Sequence, residues 1–316
     1  SIIKPLLDGR NGKNIFIYGA PGIGKTAAIR HVINELGEET DEVVPIYINC
    51  WQKNSTFKIL CEICEQLGYR LTHNKRTEEL FAVAKNMMNK KAAVFAFDEA
   101  DKLEEIDFLY DLLEEVYKKS ILLITNDKDW LDNLDNRVKS RLLPEILEFK
   151  PYNPEETKDV LKQRVQYAFV PNVLENDAFE LIVRKTAEAQ DIRLGLHLMR
   201  ESANIAEDKS SRKITPEHAS AAIAKIDQFI IKKISDLTDD EQDILDLVKK
   251  NSEKKIGDLY NIYKDEGGNL VYKSFQRKIE KLEKNKFVSV KKTSGGSDGN
   301  TTIVKYATET KKLTEF

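Results

Sequence analysis

A short run of apolar, strand-forming residues, Ile15-Phe16-Ile17-Tyr18, leads straight into Gly19-Ala20-Pro21-Gly22-Ile23-Gly24-Lys25-Thr26. A strand, a G-x-x-x-x-G-K-T loop and a helix beginning near Thr26 form a phosphate loop at the carboxyl end of a sheet, and this leaves few folds open. Glycines let successive N–H groups turn inward around an anion. Lys25 supplies the charge that offsets β and γ phosphate oxygens, and the Thr26 hydroxyl is a ligand for Mg²⁺. The positive end of the following helix, entered through Ala27, adds to the same field. An ordinary glycine turn needs neither the strand before nor the helix after. The segment therefore points to a nucleoside triphosphate, ATP or ADP, as ligand.

At 316 residues the chain is too long for one ordinary domain. Five β-type runs mark the first half, Asn14–Tyr18, Val43–Asn49, Ala92–Phe97, Ile121–Thr125 and Glu145–Phe149, with helical patterns between them. Continuously apolar strands alternating with helices predict a parallel sheet covered on both faces, the α/β doubly wound class. After Lys150-Pro151-Tyr152 only helices are read, at about 154–169, 175–189, 192–208 and 216–234. From Leu237 the pattern becomes three helices, about 239–250, 255–266 and 272–285, then Phe287–Lys292, a Gly-rich turn and Thr301–Ala307, the order of a winged helix. The expected domains are thus 1–151, 152–234 and 237–316.

No apolar run approaches the roughly 20 residues that span a bilayer, and no secretory leader opens the chain, so a soluble, intracellular protein with no membrane partner is expected. Because the first residue is Ser1, an initiator Met is expected to have been lost or trimmed. Three cysteines suit a reducing compartment. Cys61-Glu62-Ile63-Cys64 falls in a helical apolar pattern and reads as core, since a zinc site wants four ligands.

Two acids, Asp98-Glu99, follow the buried run Ala93–Phe97. Asp98 is suited to Mg²⁺ and Glu99 to orienting the attacking water. Asn126, at the end of the next strand, has an amide for the γ-phosphate, or it is simply a turn residue. Arg137 and Arg141 lie one helical turn apart, fit either to act on a neighbouring molecule's nucleotide or to form surface ion pairs. Arg193 opens a helix of the second domain and has the reach expected of a group that contacts phosphate from there.

Taken together, the phosphate loop, Asp98-Glu99-Ala100-Asp101, Asn126, Arg137-Val138-Lys139-Ser140 and Arg193 resemble an AAA+ ATPase. Tyr47-Ile48-Asn49-Cys50, Phe149-Lys150-Pro151-Tyr152, Arg164, Asp191-Ile192-Arg193 and the terminal winged helix resemble, more narrowly, the archaeal initiators related to the origin recognition complex and its cell-division-cycle loader. That resemblance implies sheet order 5-1-4-3-2, a helical lid, ATP with Mg²⁺, origin duplex DNA, the MCM helicase and further initiator protomers as partners, and a cytoplasmic, nucleoid-associated location. It casts Asn126 and Arg193 as sensors of the γ-phosphate and one of Arg137 and Arg141 as an arginine finger. It also places Trp51–His73 where the family has a DNA-touching segment. Ile23 and Gln190 depart from the family's common Thr and Gly.

Net charge is only −3, but its distribution is uneven. Residues 270–306 hold nine Lys/Arg against three acids, whereas 237–269 are net acidic. Lys273, Arg277, Lys278 and Lys281 on the third helix and Lys291 and Lys292 in the wing are the candidate DNA contacts. Glu280 and Glu283 allow the alternative of a charge-laced solvated helix. Protein-remodelling, clamp-loader-like and signalling ATPases are the competing classes.

Overall fold

The computed structural model describes residues 3–235, 237–284, 287–293 and 301–306. The chain forms two compact units, Ser1–Pro151 and Tyr152–Phe316.

In the first unit, strands β1 (Ile15–Gly19), β2 (Val43–Asn49), β3 (Ala92–Asp98), β4 (Lys119–Thr125) and β5 (Glu145–Phe149) form one sheet in the order β2-β3-β4-β1-β5. Every pairing is parallel, so this is the doubly wound order 5-1-4-3-2 that the resemblance implied. Because side chains alternate along a strand, each strand feeds two cores. Phe16, Ile46, Ile48, Phe95, Phe97, Ile121 and Leu123 pack on one face with α3 (Thr56–Gln66), α4 (Thr77–Met88) and α5 (Asp107–Glu115). Ile15, Ile17, Val94, Ala96, Leu122 and Ile124 pack on the other with α2 (Lys25–Glu39). That helix turns Ile29, Ile33 and Leu36 inward, one stripe of a 3.6-residue period. All seven residues of β3 are buried, and truncating Phe95 or Phe97 to Ala should cost about 3–5 kcal/mol. A single-turn helix, α1 (Lys4–Leu7), precedes the sheet.

Two features differ from the sequence reading. β5 is not buried: it is the edge strand, with Ile146 65% and Leu147 42% exposed. β3 runs one residue further than expected and ends on Asp98 itself, so the sheet's hydrogen bonds reach the acid: the Cys50 N–H donates to the Asp98 carbonyl at 2.8 Å. Cys50 and Cys64 are buried. Burial pushes their thiols up to about 12 and about 11, which keeps them protonated packing groups. Among the described residues no group of three or more His, Cys, Asp or Glu is placed to hold a metal ion.

The second unit begins with α7 (Pro154–Ala168), where the Asn153 and Glu156 side chains cap each other's backbone N–H groups. α8 (Asn176–Ala189), α9 (Ile192–Asp208) and α10 (Pro216–Ser235) complete an apolar cluster around Leu161, Ile182, Leu194, Leu198 and Ala222. A separate cluster lies among α11 (Asp239–Lys250), α12 (Ile256–Asp265), α13 (Tyr272–Lys284) and strands β7 (Val288–Thr293) and β8 (Thr301–Tyr306). β7 and β8 pair antiparallel, as a wing requires. An additional two-residue strand, β6 (Lys254–Lys255), pairs with β8 and was invisible in a Lys-rich sequence. The helix α6 (Asn136–Leu142) of the first unit carries the two candidate finger arginines.

Candidate nucleotide site

The glycines of the loop have separate causes. Gly22 and Gly24 adopt left-handed φ values of +81° and +89°, where an L side chain is strained. A Cβ on Gly19 would sit 2.4 Å from the Phe149 carbonyl, so β5 packs too closely for any other residue. Ile23, the departure from the family's Thr, is buried in the same corner, which gives it a packing role. Thr26 and Ala27 are exposed in the first turn of α2, while Pro21 lies partly buried at the bend.

Lys25 is buried, yet it is threaded back over the loop. Its Nζ donates to the carbonyls of Gly19 and Ala20, both at 2.8 Å, and to Asn126 Oδ1 at 2.7 Å. Thr26 Oγ1 donates to Asp98 Oδ2 at 2.7 Å, and the Tyr47 hydroxyl donates to the same oxygen at 2.7 Å. Asp98 Oδ1 accepts from the Glu99 N–H at 3.1 Å. One step further, Asp101 Oδ1 accepts from Thr125 Oγ1 at 2.8 Å, and Thr125 Oγ1 accepts from the Asp127 N–H at 2.9 Å. These bonds tie the ends of β3 and β4 together and fix the turn that presents Asn126. The structure thus brings together Lys25, Thr26, Asp98, Glu99 and Asn126.

Glu99 has φ +56°, a left-handed conformation costing roughly 1–2 kcal/mol for a residue with a Cβ. Strain of this kind at a strand end aims a side chain away from the sheet. Burial, then the Asp98 and Asp101 carboxylates, push its carboxyl above the usual range, and Lys102 and Lys25 oppose the shift. Tyr47 is pushed up to about 12 by burial and by its bond to Asp98, so it stays a donor at any physiological pH. Mg²⁺ is bound through oxygens, commonly one or two protein groups with phosphates and water completing the shell. The Thr26 hydroxyl and the Asp98 carboxylate, 2.7 Å apart, fit that requirement.

Sequence reasoning missed Tyr47, Asp101 and Thr125 as members of this network. The signal was available for Tyr47: once β2 neighbours β3, with Asn49 in register with Asp98, a tyrosine two residues before the strand end faces the acid.

The arginines lie elsewhere. Arg137 caps back on Asp135 at 3.1 Å, and Arg141 bonds Glu114; their guanidinium groups sit 5.8 and 4.6 Å from the Tyr110 ring centroid. Arg137 is the more exposed of the two, 67% against 38%. Arg193, in the second unit, makes a two-pronged bond to the buried Asp191 at 3.0 and 2.7 Å. Gln190, preceding it, adopts φ +52°, a left-handed helix end that favours glycine.

In α13, Lys273 and Arg277 are exposed, as DNA contacts must be. Lys278 and Lys281 also have partners within the chain. Lys281 bonds Glu241 at 2.8 Å, and Lys278 bonds Glu241 at 3.4 Å and Thr238 Oγ1 at 2.8 Å. Glu241 is only 2% exposed, and a buried carboxylate draws neighbouring cations inward. Burial pushes the Glu241 carboxyl up, but Lys281, the Thr238 backbone and Lys278 outweigh it and hold it below the usual range. Lys291 and Lys292 stand on β7 opposite Ile303 and Thr302; their side chains, and the turn 294–300, lie outside the described residues.

With this geometry in place, comparison with known proteins is decisive. Residues 9–128 match the AAA domain, and residues 158–224 match the Cdc6 AAA+ ATPase-type lid domain. The chain is 32% identical over 317 residues to the ORC1-type DNA replication protein 2 of Methanosarcina acetivorans, covering 96% of this chain and 85% of that protein. The chain belongs to the ORC1-type DNA replication proteins. A second ORC1-type relative, protein 1 of Sulfurisphaera tokodaii, is 36% identical over 240 residues, covering 72% of this chain and 60% of that protein. Among solved structures, the Aeropyrum pernix ORC1 protein in complex with DNA matches with a TM-score of 0.67 at 26% identity, over 98% of this chain and 87% of that one. Like the ORC1-type and AAA+ proteins it resembles, the chain has the AAA+ fold with its lid. Among the described residues, no helix is long and apolar enough to cross a membrane.

Proposed function

We propose that this chain is an ATP-dependent initiator of DNA replication that binds origin duplex and helps load the MCM helicase, its ATP or ADP state acting as a switch. The observation that carries the reading is the meeting of Lys25, Thr26, Asp98, Glu99 and Asn126 at the carboxyl end of one sheet in an ORC1-type chain. Lys25 offsets the β and γ phosphates, and Thr26 with Asp98 would hold Mg²⁺, which when bound would supply charge neutralisation to the phosphates. Glu99, strained and raised, takes the proton of the attacking water. Asn126 orients that water and the γ-phosphate. Arg193 reports the nucleotide to the lid, and Arg137 or Arg141 acts on a neighbouring protomer's site. Arg137 is the better placed of the two, being the more exposed. Lys273, Arg277 and the wing lysines meet the DNA backbone and groove.

Titration of the protein against duplex at two salt concentrations tests the initiator reading. Removing one phosphate-binding side chain should lower the slope of log affinity against log salt by about 0.9. Replacing Lys273 and Arg277 should therefore flatten it, and an unchanged slope with unchanged affinity would remove DNA from the account. Helicase recruitment to origin DNA tests the switch: it should be present with ATP, decay as the parent hydrolyses ATP to ADP, and persist in Glu99→Gln, which keeps ATP unhydrolysed.

A further inference from the structure

Tyr47 belongs to the phosphate-site network, touches Asp98 directly, and has no task in the mechanism above. Its hydroxyl and the Thr26 hydroxyl converge on one oxygen, Asp98 Oδ2, each at 2.7 Å. The other oxygen accepts from the Glu99 N–H at 3.1 Å. Three donors from β2, α2 and the end of β3 therefore fix the plane of a carboxylate that is 3% exposed. The ring is held in turn by Arg30, whose guanidinium carbon lies 4.6 Å from the ring centroid. Arg30 stands on the helix that carries Lys25 and Thr26. The β2–β3 register sets the reach, since Asn49 pairs with Asp98 and Tyr47 lies two residues earlier on the same face.

We infer that Tyr47 is a positioning residue for the Mg²⁺-nucleotide complex: its hydroxyl occupies one side of Asp98 Oδ2 and holds the carboxylate in the orientation that Thr26 and the metal's shell require. The inference rests on the nucleotide reading above. Phenylalanine at this position keeps the ring and its stacking against Arg30 and removes the hydroxyl, with its bonds to Asp98 and to Arg30. A carboxylate that loses a donor is less well oriented, so the loss falls on the Mg²⁺-dependent part of nucleotide affinity. The grip of the loop and Lys25 on the phosphates is untouched.

The test is calorimetric titration of a non-hydrolysable ATP analogue, with Mg²⁺ and with EDTA, into the full chain and into Tyr47→Phe. The ratio of the two dissociation constants should shrink by about three- to tenfold in the variant, with affinity in EDTA unchanged. A purely structural role would weaken both conditions alike, and that result, or an unchanged ratio, overturns the inference. Should Tyr47→Phe fail to fold, para-aminophenylalanine and para-methylphenylalanine at position 47 make the same comparison at near-parental shape. The amine should keep the parental ratio and the methyl lose it; equal ratios overturn the inference. Parental protein that binds without any Mg²⁺ effect contradicts the metal reading itself, which separates that failure from failure of Tyr47 alone.

Discussion

Glu99, partly buried, and Glu241, fully buried, are treated by the chain in opposite ways. Glu99 stands beside Asp98 and Asp101, in strained backbone, with its carboxyl pushed up. Glu241 sits at the first turn of α11 between two lysines, its side chain capping its own helix, with its carboxyl held down. Clustered acids and strain cost stability and persist where a reaction uses them; a buried acid given cations and a cap stabilises the fold. The same contrast holds for lysines. Hydrogen bonds to carbonyl and amide oxygens hold Lys25 over the loop, while Lys278 and Lys281 are matched to a carboxylate.

The largest effect expected from this contrast is on turnover. Glu99→Gln should keep nucleotide binding and slow hydrolysis by roughly 10²–10⁴-fold, measured by phosphate release; undiminished release would return Glu99 to an ordinary acid. In the C-terminal region the expected split is different in kind. Lys278→Ala and Lys281→Ala should each cost stability, about 1–2 kcal/mol, and leave the salt slope of duplex binding nearly as it was. Lys273→Ala and Arg277→Ala should do the reverse, lowering affinity and slope with no change in unfolding. Equal effects from all four would erase the distinction between structural and DNA-facing lysines.

The two glutamates also predict opposite pH behaviour. A carboxyl raised in the folded state penalises folding at pH above its folded value, and the penalty vanishes below the unfolded value near 4.5. Glu99→Gln should therefore raise the thermal midpoint at pH 7, with the gain fading as pH falls through the raised folded value and gone below about 4.5. A carboxyl lowered in the folded state contributes stability above that same value and loses it as pH falls through the folded one. Glu241→Gln should lower the midpoint at pH 7, with the deficit shrinking in acid. Unfolding curves of both variants at pH 7 and pH 4 decide the signs. The smallest effect expected is at Gln190, where glycine should relieve left-handed strain and stabilise the second unit by at most about 1 kcal/mol. A drop in stability there would show that the side chain makes a contribution of its own.

The phosphate site was legible in the sequence because a loop motif carries its own geometry. Asp98, Glu99 and Asn126 were legible because parallel strands end together on the ligand side. Asp101 and Thr125 were not, since their bond links two strand ends whose adjacency is a property of the sheet. The pairing of Lys278 and Lys281 was not legible for a related reason: a local charge count cannot see Glu241 on another helix, 40 residues before Lys281. β6 escaped notice because two lysines form it only in answer to β8. Short-range chemistry was readable, and what depends on a distant partner was not.

The central claim, that the interlocked strand ends hold a nucleotide, is tested most directly by calorimetric titration of ATP into the parental chain and into Lys25→Ala, with unfolding curves to show that both are folded. The account predicts binding by the parent and a loss of at least about a hundredfold in affinity in the variant. Equal affinity in two folded proteins would contradict it.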